Sequence, residues 1–110
     1  MQAIAESVAL GQKEGLDRHR LLEVLSRTGV IAPAHLGKLS RAARGDYSAQ
    51  FAMRLMNKDF RLILETAAAA KVPMPATAAA FQMNVAEFSE SNEEDYSAVI
   101  TLMERQARLM

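Results

Sequence analysis

The chain contains no cysteine and no tryptophan, only five glycines and three prolines, and just 5% aromatic residues. Without cysteine there is neither a disulfide framework nor a thiolate metal site, and a reducing cytoplasm fits better than secretion. The charges cancel, 13 Lys and Arg against 13 Asp and Glu, so the cationic surplus of a general nucleic-acid binder is missing. No run approaches the ~18–20 uninterrupted apolar residues of a membrane span. The N-terminus lacks the charged-then-apolar order of a signal peptide.

What is present is 110 residues, half of them hydrophobic, enough for about one small domain and too apolar for disorder. There are 20 alanines, and Leu, Met, Glu, Gln, Lys and Arg, all good helix formers, supply much of the rest. Val and Ile are few and never alternate with polar residues over the length of a strand. The composition predicts an all-α chain, a single bundle-like domain of about six helices spanning 1–110.

The punctuation places those helices. Met1 to Glu14 is small or apolar over most of its girth, which predicts a helix nearly surrounded by protein. It has no Ser, Thr or Asp before it to cap it, so the chain reads as beginning in mid-helix, with Gly15 as the stop. Asp17 is placed to cap a second helix from Arg18 to about Arg27, burying Leu21, Leu22 and Leu25. Pro33 suits the first turn of a third, which Gly45 closes. The fourth runs from about Ala49 to Lys71, where Val72-Pro73-Met74-Pro75 breaks it. A fifth spans Ala76 to about Ser89. Ser91 to Glu94 form a polar turn, and Asp95 is placed to cap a last helix from Tyr96 to about Arg108.

Few of the familiar constellations occur. His19 and His35 have no carboxylate at metal-ligand spacing, which argues against zinc. There is no Gly-rich phosphate loop and no nucleophile elbow. Arg18-His19-Arg20 reads as a solvent-exposed basic turn. Charge is nonetheless uneven: residues 17–61 carry nine Lys and Arg against four acids, while 62–104 carry Lys71 against seven. That pattern fits solvated helix faces, or a basic surface towards an anionic ligand.

The fourth helix holds the anomaly. Counting about 100° per residue from Phe51, the residues Arg54, Asn57, Lys58, Arg61 and Glu65 share a polar arc. Asp59 falls inside the apolar remainder, where a carboxylate is costly unless paired. It is therefore expected to be mostly buried with a partner, either as a structural residue or at the wall of a cleft. Lys58 sits on the border between the arcs, where its stem can lie on apolar surface and its ammonium reach outward.

Phe51-Ala-Met-Arg-Leu-Met-Asn-Lys58-Asp59-Phe-Arg-Leu62 resembles the F-x-x-x-L-M-x-K-D-x-x-L segment of the β-hydroxyacid dehydrogenases. That family includes 3-hydroxyisobutyrate dehydrogenase and 2-hydroxy-3-oxopropionate (tartronate semialdehyde) reductase. Ala5-Glu6-Ser-Val-Ala-Leu-Gly-Gln-Lys-Glu-Gly15-Leu16-Asp17 is similar to its A-E-(A/G)-x-x-L-(A/G)-x-x-x-G-(L/V)-D. Lys71-Val-Pro73-Met-Pro75 resembles its G-x-P-x-P turn, with Lys71 in place of Gly. Asp95-Tyr96-Ser97-Ala98 resembles its D-(F/Y)-S-A opening of the last helix.

The resemblance implies an all-α C-terminal domain of the 6-phosphogluconate dehydrogenase type, truncated at the start of its first helix, that closes over NAD or NADP held by an N-terminal Rossmann domain. Carried over by position, Lys58 is the cofactor-contacting residue, and Phe51 and Asp59 shape the substrate and nicotinamide side of the cleft. The catalytic Lys is expected upstream of Met1, so the chain alone is expected to be inactive. The implied reaction is hydride transfer to or from a small 3-hydroxy acid in a cytoplasmic, homo-oligomeric enzyme without a metal, a membrane or nucleic acid. A non-enzymatic helical interaction or oligomerisation domain is the other reading. Nothing in the sequence chooses NAD over NADP, because the ribose 2′ position is read in the Rossmann domain.

Overall fold

Several helices of the chain begin or end where an Asp, Pro or Gly in the sequence directs. In a computed structural model, which describes residues 1–89 and 93–109, the helices are α1 (Gln2–Lys13), α2 (Arg18–Leu25), α3 (Pro33–Ala43), α4 (Met53–Ala69), α5 (Pro75–Phe88) and α6 (Val99–Gln106). Asp17 caps α2 as expected, its Oδ2 accepting from the Arg20 N–H at 2.9 Å. Pro33 and Pro75 open α3 and α5, where a missing N–H costs nothing. Gly15 and Gly45 follow α1 and α3 with φ of +100° and +70°, the left-handed residue that lets the next N–H turn back onto the helix.

The helices gather into two compact units where one bundle was expected: Met1–Tyr47 with Ser97–Met110, and Ser48–Tyr96. In the first unit α1 lies against α6 and α2, and α2 against α3. Its core is Ala5, Val8, Leu22, Leu39, Ala42, Val99 and Ile100, and each large member contributes about 1.5–3 kcal/mol by leaving water. Of the three leucines assigned to the α2 core, Leu22 is fully buried and Leu21 and Leu25 are half-buried. α1 is not surrounded. Only Ala5, Val8 and Ala9 are buried and Leu10 is 64% exposed, because its partners α2 and α6 cover one face.

Arg18, read as a surface residue, instead sits at a polar junction. Its Nε donates to Glu104 Oε2 at 2.6 Å, Nη1 to the Ala42 carbonyl at 3.0 Å and Nη2 to the Tyr47 hydroxyl at 2.8 Å. Gln12 Nε2 adds a bond to Glu104 Oε2 at 2.9 Å. The junction ties α1, α2, the end of α3 and α6. His19 and Arg20 are exposed as expected.

In the second unit α4 lies against α5, with the Phe60 and Phe81 rings 5.8 Å apart. Here α4 starts at Met53, four residues later than the periodicity predicts. Before it Gln50 and Phe51 form a bend and Ala52 is extended, and two antiparallel bridges pair Ser48 with Glu94 and Ala52 with Asp95. Asp95, expected to cap the last helix, turns its Oδ1 to the N–H groups of Gln50 and Phe51. That helix opens through a 3-10 turn, Tyr96–Ala98, and its N-cap Ala98 makes no side-chain cap bond. Of the predicted polar turn, Ser91 and Asn92 lie outside the described residues.

Candidate functional site

The three residues singled out as a site all belong to the second unit. Phe51 precedes α4 and is held from two sides. Its N–H donates to Asp95 Oδ1 at 2.9 Å, the Gln50 N–H does the same at 3.1 Å, and the Phe51 carbonyl accepts from the Tyr96 N–H at 3.1 Å. Its ring meets Tyr96 edge to face, centroids 6.2 Å apart at 78°. Phe51 as a residue remains 36% exposed, on a backbone fixed by these bonds. Asp95, buried at 2% exposure, is the residue that places it. The D-Y-S-A motif carries the signal for Asp95, but not for the bonds it accepts from Gln50 and Phe51.

Lys58 lies on the exposed side of α4, and no carboxylate among the described residues pairs with it. An unpaired ammonium of this kind can meet a phosphate, a carboxylate or a ribose hydroxyl.

Asp59 is exposed and has no ion-pair partner among the described residues, contrary to expectation. The physical reason is phase. The stripe that α4 buries fully is Met53 and Asn57, at about 200–240° on the same wheel, while Leu55 and Met56, nearer Asp59, are only half-buried. Asp59, at about 80°, is turned well away from it. The apolar arc is wider than the face that α4 buries, so Leu62 and Ile63 are also left 53% and 46% exposed. The costly-carboxylate argument for Asp59 falls with its burial.

The polar residue that α4 does bury is Asn57, at 2% exposure, with neither amide atom hydrogen-bonded among the described residues. The wheel had placed it at the edge of the polar arc. On α5, Asn84 is 6% exposed and its Oδ1 is likewise unpaired among the described residues. No sequence signal distinguishes these amides from surface ones.

No described helix is long and apolar enough to cross a membrane, and no three of the described His, Asp and Glu gather as a metal cluster.

The chain is 35% identical over 101 residues to L-threonate dehydrogenase of Cupriavidus necator, covering 91% of this chain and 34% of that protein. It is 36% identical over 101 residues to glyoxylate/succinic semialdehyde reductase 2, chloroplastic, of Arabidopsis thaliana, covering 91% and 28%. It is 34% identical over 107 residues to 2-(hydroxymethyl)glutarate dehydrogenase of Eubacterium barkeri, covering 96% and 36%. The chain thus spans about a third of the length of these curated relatives. A family model described as the NAD-binding domain of NADP-dependent 3-hydroxyisobutyrate dehydrogenase matches residues 1–103. With the K-D segment, the Pro turn and the D-Y-S-A opening all inside that match, the chain belongs to this family of NAD-binding domains.

Proposed function

We propose that the chain is the C-terminal, all-α domain of an NAD- or NADP-dependent oxidoreductase acting on a small 3-hydroxy acid of the 3-hydroxyisobutyrate or tartronate semialdehyde type. The observation that carries this reading is Lys58: it stands in the family's K-D segment, exposed and without an acid partner among the described residues. The names of the relatives, which concern threonate, glyoxylate, succinic semialdehyde and a hydroxymethyl diacid, support a small polar acid or semialdehyde as substrate.

In this reading a Rossmann domain holds the dinucleotide and this domain closes the cleft. The nicotinamide, when bound, gives or accepts the hydride. Lys58 supplies a cation to the cofactor. Phe51, fixed by Asp95 and Tyr96, presents an apolar wall that excludes water from the nicotinamide and substrate side. The neighbouring Asp59 rests on the resemblance alone and, being exposed, would act from the rim. The general acid/base is a Lys upstream of Met1. The enzyme is a cytoplasmic homo-oligomer, and exposed Leu10, Leu16 and Val24 on the first unit are apolar surface of the kind that association covers.

The test is a pair of measurements on Lys58→Ala. In the full-length protein, kcat/KM for the cofactor falls by about ten- to a hundredfold, the loss of one charge-assisted hydrogen bond. In the 110-residue chain, which is expected to show no turnover by itself, stability changes by less than about 0.5 kcal/mol. A strongly destabilised chain with unchanged cofactor kinetics would assign Lys58 to the fold and overturn the reading.

A further inference from the structure

In the first unit a cleft of about 220 Å³ opens between α2 and α3, lined by His19, Glu23, Ser26 and Arg27 on one side and Ser40 and Arg44 on the other. Its only acid, Glu23, is already engaged by His19 Nε2 at 3.3 Å. The two guanidinium groups have no carboxylate within ion-pair distance among the described residues. Of the other arginines of the same unit, Arg18 pairs with Glu104 and Arg41 with Asp46, while Arg20 is exposed outside this cleft. The Ser26 hydroxyl donates to the Glu23 carbonyl at 2.6 Å. Ser40 makes no hydrogen bond among the described residues and is a free donor on the opposite wall.

Each arginine lies just past the end of its helix, where a cation is favoured by the helix dipole. That explains one arginine at each end. It does not explain why the two exposed side chains line a single concavity together with a free hydroxyl.

We propose that this cleft binds a small molecule through a phosphate group. A phosphate offers several acceptor oxygens to two forked guanidinium groups and to the Ser40 hydroxyl, a geometry that suits Arg better than Lys. The cleft lies in the first unit and Lys58 in the second, so the assignment does not depend on the cofactor reading above.

The experiment is a titration of the 110-residue chain followed by ¹⁵N–¹H correlation spectra at constant ionic strength. The probes are inorganic phosphate, ribose 5-phosphate, NADP⁺ and NAD⁺. Saturable shifts centred on Arg27, Ser40 and Arg44 are expected with at least one phosphate-bearing probe. Tighter binding of NADP⁺ than NAD⁺ identifies the cofactor's 2′-phosphate as the source. Tighter binding of ribose 5-phosphate identifies a free phosphate monoester, and equal binding of inorganic phosphate shows that the phosphate group suffices. Arg27→Gln and Arg44→Gln each weaken the interaction about tenfold or more, while Arg61→Gln on α4 leaves it unchanged. Shifts that never saturate, that survive in the Arg27→Gln/Arg44→Gln double variant, or that Arg61→Gln weakens equally, overturn the proposal.

Discussion

Arg18 and Glu104, 86 positions apart, form an ion pair at 2.6 Å in which the carboxylate is nearly sealed from water and the guanidinium is not. The Glu104 side chain is 3% exposed and that of Arg18 is 30%. Removing the carboxylate strands Gln12 and Arg18 together. Breaking a buried pair costs about 3–5 kcal/mol, and partial access of water to Arg18 reduces that. Glu104→Ala is therefore expected to lower unfolding free energy by about 2–3 kcal/mol in urea melts, and Glu104→Gln by less, because one acceptor oxygen remains.

The same junction sets an alkaline limit. Burial raises the Tyr47 phenol above its ordinary value of 10.0, while hydrogen bonds with Thr101 and Arg18 pull it the other way. Tyr96 is raised too, by burial and then by the Asp95 charge. A phenol whose folded value exceeds its unfolded one contributes stability that is complete below the unfolded value and is lost as pH rises through the folded value. The melting temperature is expected to fall above about pH 10, and less steeply in Tyr47→Phe. A parallel fall in the variant would show that Tyr47 is not involved.

Asp95→Ala should loosen the segment that carries Phe51. Two N–H groups, of Gln50 and Phe51, lose their acceptor, at about 1–3 kcal/mol where water cannot replace it. Hydrogen exchange at these two amides should accelerate before exchange in the first unit does.

Asn57→Leu is expected to stabilise the chain by about 1 kcal/mol, since an apolar residue replaces a buried amide that has no partner among the described residues. Asn57→Asp, which puts a charge at the same buried position, should destabilise it. Urea midpoints of the two variants, moving in opposite directions, would establish this.

Lys71 is the helix-ending residue of α4 and sits at φ 61°, with its N–H bonded to the Ala68 carbonyl and that of Val72 to Ala67. A side chain in this left-handed conformation costs about 1 kcal/mol relative to Gly. Lys71→Gly should therefore raise the melting temperature, and Lys71→Val should lower it further than a surface change would.

The helices were legible because their signals are local. Asp17, Pro33, Pro75, Gly15 and Gly45 each act within one turn of their own position, and each does in the structure what its chemistry predicts. Asp95 also looked local, but its carboxylate serves residues 44 and 45 positions earlier, and no cap rule reaches that far. Asp59 failed for a different reason. A helical wheel gives the width of the apolar arc but not which part of it is covered, and the part of α4 that is fully buried is that of Met53 and Asn57. Lys58 was placed correctly at the surface by the same wheel, because its outward direction does not depend on which edge of the arc is buried.

The pairing of residues 48–52 with 94–96 also makes the second unit a loop whose two ends are tied together by backbone hydrogen bonds. Closing such a loop costs entropy that grows only with the logarithm of its length, about 0.6 kcal/mol for each doubling. Extra residues in the turn between α4 and α5 are thus added at the far side of an already closed ring. The length of that turn is free to vary while the position of Phe51 stays fixed by the knot at its base.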